Sequence, residues 1–391
     1  MFKLAFLFIH IYSEIMSDIK IVQANDKKQI RDFVKFQIDL YKDNPYYVPP
    51  IIADEVAIFL KDKNPAFEVA DAQLFLAYKN GKIVGRIAGI VSHAANKKWG
   101  YKNLRFSWID FIEDYEVAKA LLDTVVEWGR AKGMTTMTGP HGFGDFDQQG
   151  MLVEGYDKLA TMASFYNHPY YVQYMEKYGL TKEIDYVEFW STTPKPEDVP
   201  EKLFRVNDWA IKKNKFKLLQ YPKVKDYIGR GNEIFELLEE SFQENFGTVP
   251  LTQKQKDYYV KKYLMFLNPK LIKVVENEKG QMIGFLITMP NLSKALQKAK
   301  GNLFPFGIFH LLKGLRTYEI LDFYFAGVRK EYRGKGVDAI MAAEVVKTAM
   351  EMGFKNAESN QELEDNNLVQ AQWKFFNPVM HKRRRIFKTN I

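Results

Sequence analysis

Two stretches of the chain share one rhythm of apolar and polar positions. Residues 72–92, AQLFLAYKNGKIVGRIAGIVS, and residues 270–290, KLIKVVENEKGQMIGFLITMP, each run apolar, break at a polar turn and run apolar again. Their β-branched and aromatic residues predict strands, and the turns at Gly81 and Gly280 predict antiparallel hairpins. Gly85 and Gly284 follow those turns by four residues. A helical pattern precedes each hairpin, over 27–42 in the first case and over 232–245 and 252–266 in the second. After each hairpin comes a strand, LRFSWIDFI or YEILDFYFAGV, and then an amphipathic helix ending at Gly133 or Gly353. The order helix, hairpin, strand, helix, strand therefore occurs twice. One matching hairpin would mean little; the matching flanks predict two α/β domains of similar topology, residues 17–190 and 201–391. STTPKPEDVP, residues 191–200, reads as the linker.

Length agrees, since 391 residues suit two domains better than one. With 47 % hydrophobic residues the chain can build cores, which excludes global disorder. A net charge of +8 is compatible with nucleic acid, an anionic membrane surface or a polyanionic small molecule. The charges are scattered and no zinc-finger, RNA-recognition or helix-turn-helix signature is present, so a phosphate-rich small ligand is favoured and no nucleic acid is expected. The absence of cysteine removes disulfides, thiolate metal sites and a cysteine nucleophile. No pair of histidines with an acid has metal-binding spacing, so no metal is expected. Residues 1–16 begin with the apolar run MFKLAFLFIHIY, too short to span a bilayer and without a small-residue cleavage site. They read as an extension upstream of a true start at Met16, or as an interfacial anchor. No other run reaches transmembrane length, and a cytoplasmic location is expected.

Chemistry concentrates at residues 332–338, YRGKGVD. Residues 319–328 read as a buried strand, and apolar spacing from Val337 to Met352 predicts a helix. The turn between them feeds a helix start, whose unpaired N–H groups and partial positive charge suit an anion. Gly334 and Gly336 let backbone approach a ligand; Arg333 and Lys335 add charge. Taken alone, RGKG is equally a structural turn, and neither a Walker sequence nor a three-glycine dinucleotide pattern is present.

The strand ending at Val328 followed by RKEYRGKGVDAIM resembles the coenzyme A signature of the GNAT N-acyltransferase superfamily, Gln/Arg-x-x-Gly-x-Gly/Ala. Arg333 and Gly336 fill its first two defined positions, and Asp338 stands where Gly or Ala is expected. The resemblance covers most of 232–391 and, more faintly, 18–190 as a second copy. It implies mixed-sheet α/β architecture of two tandem GNAT-like domains, and a donor that is acetyl-CoA or a longer acyl-CoA. It places the donor against Phe325, Ala326, Gly327 and Val328, with Arg333, Gly334, Lys335, Gly336, Val337 and Asp338 around the diphosphate and Asn366 on the pantetheine arm. The corresponding point in the first half, IEDYEVAKALL, has no glycine and carries Glu113, Asp114 and Glu116, which cap a helix and repel phosphate. The first half is therefore expected to be a degenerate copy that binds no coenzyme A.

A base must take the proton of the attacking amine. Glu358, Asn360 and Glu362 alternate in NAESNQELEDNN and are read as sharing one strand face, with Glu358 the first choice and Glu362 the second; Tyr324 and Asp322 are further candidates. Each has a bland reading as a structural or solvated group. Seven residues beyond Asn366, where family members carry a proton-donating Tyr, stands Trp373, which cannot protonate a thiolate. The C-terminal FFNPVMHKRRRIFKTN reads as a closing strand pair with a basic edge, Lys382 to Arg385.

In the first half, the glycine-punctuated loop 139–156 and the tyrosine-rich 164–180 suggest an acceptor pocket lined by Asp145, Asp147, Tyr166, Tyr170 and Tyr171, with His141 as an adjunct. Between Met289 and Tyr318 an insertion carries LFPFGIFHLLKGLR, residues 303–316. It reads as a helix packed on its own domain, as a lid, or as a helix lying on lipid at the inner membrane face. The leading expectation is transfer of an acetyl or longer acyl group to a small-molecule or lipid amine by direct attack on the thioester, similar to bacterial ceramide-forming N-acyltransferases. The alternatives are a Fem-like aminoacyltransferase using aminoacyl-tRNA and a GNAT-fold binding protein without chemistry, for which Asp338 and Trp373 argue.

Overall fold

The computed structural model describes residues 19–199, 201–263, 267–366, 369–370, 373 and 376–391. The apolar extension 1–16 lies outside them. The strands of the first half are β1 Ile19–Gln23, β2 Ala70–Lys79, β3 Lys82–Ser92, β4 Asn103–Phe111, β5 Thr136–Gly139, β6 Met151–Glu154 and β7 Thr181–Thr192. Those of the second are β8 Lys217–Leu219, β9 Ile272–Glu276, β10 Met282–Pro290, β11 Ile320–Val328, β12 Asn356–Ser359, β13 Glu362–Leu363 and β14 Val379–Asn390. The first-half helices are α1 Lys27–Leu40, α2 Ile52–Ile58, α3 His93–Trp99, α4 Tyr115–Ala131 and α5 Tyr170–Tyr178. The second half adds α6 Glu201–Asn214, α7 Val224–Ile228, α8 Gly231–Phe242, α9 Gln253–Tyr263, α10 Ser293–Ala299, α11 Gly307–Gly314 and α12 Val337–Met352.

Both hairpins form where the pattern places them. Asn80 and Gly81 turn the first with positive φ at both positions, as a two-residue hairpin loop requires. In the second, the Asn277 carboxamide accepts the backbone N–H groups of Lys279 and Gln281. Gly85 and Gly284 have a common purpose. A Cβ at Gly85 would lie 2.8 Å from Leu121 of α4, and one at Gly284 would lie 2.4 Å from Val337 of α12. In each half the missing side chain lets the helix after the fourth strand lie directly on the hairpin. That close approach builds one apolar core under α4 and another under α12.

All fourteen strands join one sheet, whose main path is β1-β2-β3-β4-β5-β14-β7-β12-β11-β10-β9-β8. The order is a palindrome about its centre. In each half three antiparallel steps lead to a parallel pair, β4 with β5 and β11 with β12. The closing strands are exchanged. β14, the last strand of the second half, pairs with β5, and β7, the last of the first half, pairs with β12. The two then pair with each other from Val379↔Trp190 to Lys388↔Thr181. Where a pair of C-terminal strands was expected, one twelve-residue strand runs. β7 continues through Thr192, into the stretch read as linker.

Burial along this seam is charged. Glu188 of β7, Glu358 of β12 and Lys382 and Arg384 of β14 are all at least 97 % buried. Lys382 bonds Glu358 and lies 3.4 Å from Glu188, and Arg384 bonds Glu188. Burial raises the Glu188 carboxyl, but Arg384 and Lys382 outweigh it and hold the group below its ordinary value. The network requires strands from both halves for its charge balance.

Candidate active site

The parallel pair β11–β12 lasts only from Ile320↔Asn356 to Phe323↔Ser359. From Phe325 to Val328, β11 keeps its partner β10, with Tyr324 at a bulge, while from Tyr324 on its edge toward β12 has no ladder partner among the described residues. The bond from Asn360 N–H to the Phe323 carbonyl is the last rung between the two strands, and beyond it the chain leaves β11 and pairs with β7 at Glu362 and Leu363. A wedge with a free row of backbone groups opens between them.

The wedge leads into a cavity of about 670 Å³ lined from both halves. The second half contributes Phe323 to Ala326, Asp338, Met341 and Val345 of α12, and the stretch Asn360–Leu363 with Asn366. The first half contributes Ile51, Glu55, Trp108 and the loop Asp145–Gln149. Leu292, Leu296, Leu303, Leu311 and Leu315 form an aliphatic roof. Phe146 stacks on Tyr259 at 4.2 Å and meets Phe325 at 4.9 Å, bringing the two halves together across the cavity.

At the start of α12, Gly334 and Gly336 both have positive φ, and no side chain among the described residues caps the helix. The first-turn N–H groups are thereby left for an anion. Gly334 faces open space, and Arg333, Gly334 and Lys335 are exposed. Gly336 has a reason unforeseen from sequence: a Cβ there would meet Ala210 of α6 at 2.6 Å. Of the other residues assigned to the donor, Ala326, Asp338 and Asn366 line the cavity. Gly327 packs near Ser241 and Phe285, Val337, the first residue of α12, is buried against the hairpin at Gly284, and the Val328 carbonyl accepts from Arg333 Nε at 3.3 Å. Asn366 Oδ1 also accepts the Val369 N–H.

Glu358 and Glu362 do not share a face. Glu358 opposes Trp190 on β7 and Glu362 opposes Val187, four steps along one chain against three along the other. One surplus residue reverses the direction of the side chains. Glu358 enters the seam network, with Lys382 and, at 3.2 Å, His381. Glu362 lines the cavity. Its Oε1 accepts the indole N–H of Trp373 at 2.6 Å, and its buried Oε2 has no partner among the described residues. Burial pushes its carboxyl up to about 7, against the opposing pull of the Trp373 hydrogen bond and the nearby Ser359 hydroxyl, which itself donates to the Asn360 carbonyl. That value suits a group that takes protons near neutrality. Tyr324 also lines the cavity; burial, then Asp322, holds its hydroxyl well above the ordinary value and so protonated. Asp322 accepts both contacts from Asn291 Nδ2, at 3.0 and 3.1 Å, and burial and Glu358 raise it strongly.

Asp145 and Asp147 line the cavity as read, with burial raising both and taking Asp145 to about 6. Tyr166, Tyr170, Tyr171 and His141 do not. Tyr171 stacks on Phe111 at 4.1 Å, its hydroxyl accepts the Phe111 N–H, and Tyr170 donates to the Phe111 carbonyl. These tyrosines fill the gap in the first half that the wedge leaves open in the second. His141 is buried beside Arg105. Asp114 caps α4 by accepting from Glu116 N–H and pairs with Lys79 at 2.7 Å, so that helix start is already neutralised. Sequence reasoning missed Glu55, whose Oε1 accepts from Trp108 Nε1 at 2.5 Å and whose carboxyl burial raises. Nothing in its short helix signals that role.

Glu188, Glu358 and His381 bring ligand atoms within 4.8 Å of one another, but Lys382 already supplies the cation between the two carboxylates.

No family model matches the chain. Its fold aligns over 95 % of its length with 98 % of a tandem GNAT protein from the clavulanic acid biosynthesis pathway, at 13 % identity and a TM-score of 0.55. A GCN5-related N-acetyltransferase from Sphaerobacter thermophilus aligns over 95 % of both chains at 11 % identity and a TM-score of 0.52. The chain has the tandem GNAT fold. In sequence it is 26 % identical to Protein YghO of Escherichia coli (strain K12) over 322 residues, 81 % of this chain and 80 % of that one. It is 24 % identical over 363 residues to a protein of Caulobacter vibrioides (strain NA1000 / CB15N) named bacterial ceramide synthase, covering 90 % of this chain and 92 % of that one.

Proposed function

We propose that the protein transfers an acyl group from an acyl-CoA to an amine at a single site, in the wedge of the second half. The observation that carries this is that, among the described residues, the edge Tyr324–Val328 without a ladder partner opens into the same cavity as Oε2 of Glu362, which has no partner. The donor supplies a thioester carbon activated for attack. Backbone N–H groups along the β11 edge would hold its acyl arm and steady the carbonyl oxygen, and the uncapped start of α12 with Arg333 and Lys335 would hold the diphosphate.

Glu362 takes the proton from the acceptor ammonium, which frees the nitrogen lone pair to attack the thioester carbon. A C–N bond forms as the C–S bond breaks, and Tyr324, still protonated, is the donor of choice to the departing sulfur. The second proton, which the nitrogen sheds on becoming an amide, returns to the Tyr324 oxygen, so that the net proton released is the one held by Glu362. No covalent enzyme intermediate is required. Glu358 serves the seam instead. Domain roles follow: residues 201–391 carry the donor site, and residues 17–190 give an acidic wall of Glu55, Asp145 and Asp147 suited to a cationic amine.

The aliphatic roof favours an acceptor or acyl group with a long alkyl chain. The name of the Caulobacter relative points the same way, because a ceramide is the amide of a long-chain amine. Calorimetry with coenzyme A, followed by thiol release from acetyl- and palmitoyl-CoA in the presence of short and long amines, tests the proposal. Amine-dependent thiol release that favours long chains is expected. Absence of coenzyme A binding would remove it.

A further inference from the structure

The inserted segment between β10 and β11 faces two ways. Leu303, Leu311 and Leu315 turn inward, partly buried, and roof the cavity. Phe304, Phe306 and Phe309 turn outward and are 77, 71 and 65 % exposed. Nine large hydrophobic side chains stand exposed among the described residues, and four of them, these three and Leu312, fall within positions 304–312. Such clustering marks an interaction surface, whereas scattered apolar residues do not.

The charge around the patch selects the partner. From Pro290 to Thr317 the chain carries five Lys or Arg residues and no Asp or Glu. Lys298, Lys300, Lys313 and Arg316 are exposed, and no carboxylate pairs with them among the described residues. A protein partner would demand specific complementarity; aromatic side chains ringed by free cations match the interface of an anionic bilayer.

The segment is also anchored for such a task. Gln297 Nε2 donates to the carbonyls of Pro45 and Tyr47, and Ile52 N–H donates to the Gly301 carbonyl, so its base is fixed to the first half. Gly314 lies so close to α10 that a Cβ would meet Ala295 at 2.9 Å, which holds α11 against α10. The surface is therefore a rigid element.

We propose that residues 303–316 dock the protein on an anionic phospholipid bilayer and form the passage by which an amphiphilic amine moves from the membrane into the cavity. Docking stands on the patch and its charges; the passage rests on the acyltransfer reading above.

The test is flotation of the full chain with vesicles of phosphatidylcholine alone and with added phosphatidylglycerol. Strong binding to the anionic vesicles is expected, and the triple variant Phe304→Ser, Phe306→Ser, Phe309→Ser lowers it about tenfold or more. Lys313→Glu with Arg316→Glu lowers it as well and weakens its salt dependence. Should the triple variant fail to fold by circular dichroism, Phe309→Ser alone serves. Three results overturn the proposal: a wild-type chain that ignores anionic vesicles, a variant that floats equally well, or light scattering that shows a dimer lost in the variant. Coenzyme A binding and turnover of a water-soluble amine without vesicles are retained in the triple variant. Flotation without coenzyme A binding would instead condemn the acyltransfer reading and leave the docking surface standing.

Discussion

The indole of Trp373 donates to Oε1 of Glu362 at 2.6 Å, and Oε2 of the same carboxylate is buried with no partner among the described residues. On the proposed reaction, a tryptophan that cannot donate a proton to sulfur aims the carboxylate that accepts one from nitrogen. Under the acyltransfer proposal the pair gives the site a base whose orientation is fixed by a neutral donor, and no cation pairs with it among the described residues.

Glu362→Gln keeps an oxygen for the indole and removes the base. Turnover should fall by about 10²–10⁴, and the rise of the wild-type rate through pH of about 7 should vanish. A pH–rate profile of both proteins decides it. The native carboxyl keeps its proton to a higher pH than the unfolded one, so wild-type stability falls as pH rises between about 4.5 and 7. Above that window the Gln variant should unfold at higher denaturant, by roughly 3 kcal/mol at most.

Trp373→Phe deletes the hydrogen bond that favours the charged carboxylate. The acidic limb of the rate profile should move up by about one pH unit, with a smaller loss of rate on the plateau. An unmoved limb would mean that Trp373 contributes packing alone.

Arg333 and Gly336 belong to one turn and should separate cleanly. Arg333→Glu alters an exposed side chain and should weaken coenzyme A binding about tenfold with Tm unchanged. Gly336→Ala places a Cβ at positive φ and against Ala210, and should cost about 2–4 kcal/mol of stability. Calorimetry and thermal unfolding of both variants provide the comparison.

Glu358→Gln and Lys382→Met test the seam. The first should leave the pH–rate limb in place, whereas a catalytic Glu358 would lose it. The second leaves Glu188 and Glu358 short of a cation and should destabilise by about 3–5 kcal/mol.

The exchanged strands predict an obligate whole. Residues 19–199 alone would expose the β5 and β7 edges that β14 covers, and should aggregate. Co-expression with residues 201–391 should restore a soluble complex; a stable, monomeric first-half fragment would contradict the exchange.

Local physics was legible in the residues themselves. Apolar periods, glycine turns and the run from Val337 to Met352 set the hairpins, the helices and the phosphate-type turn, because those signals depend on neighbours a few positions away. Strand exchange was not legible, because an edge accepts any strand of suitable register and β7 and β14 carry no mark of which half they will join. Nor was the parting of Glu358 from Glu362, since alternation assumes an unbroken strand and a surplus residue between them reverses the face. Long-range pairing alone decided which carboxylate meets the cavity and which one locks the two halves.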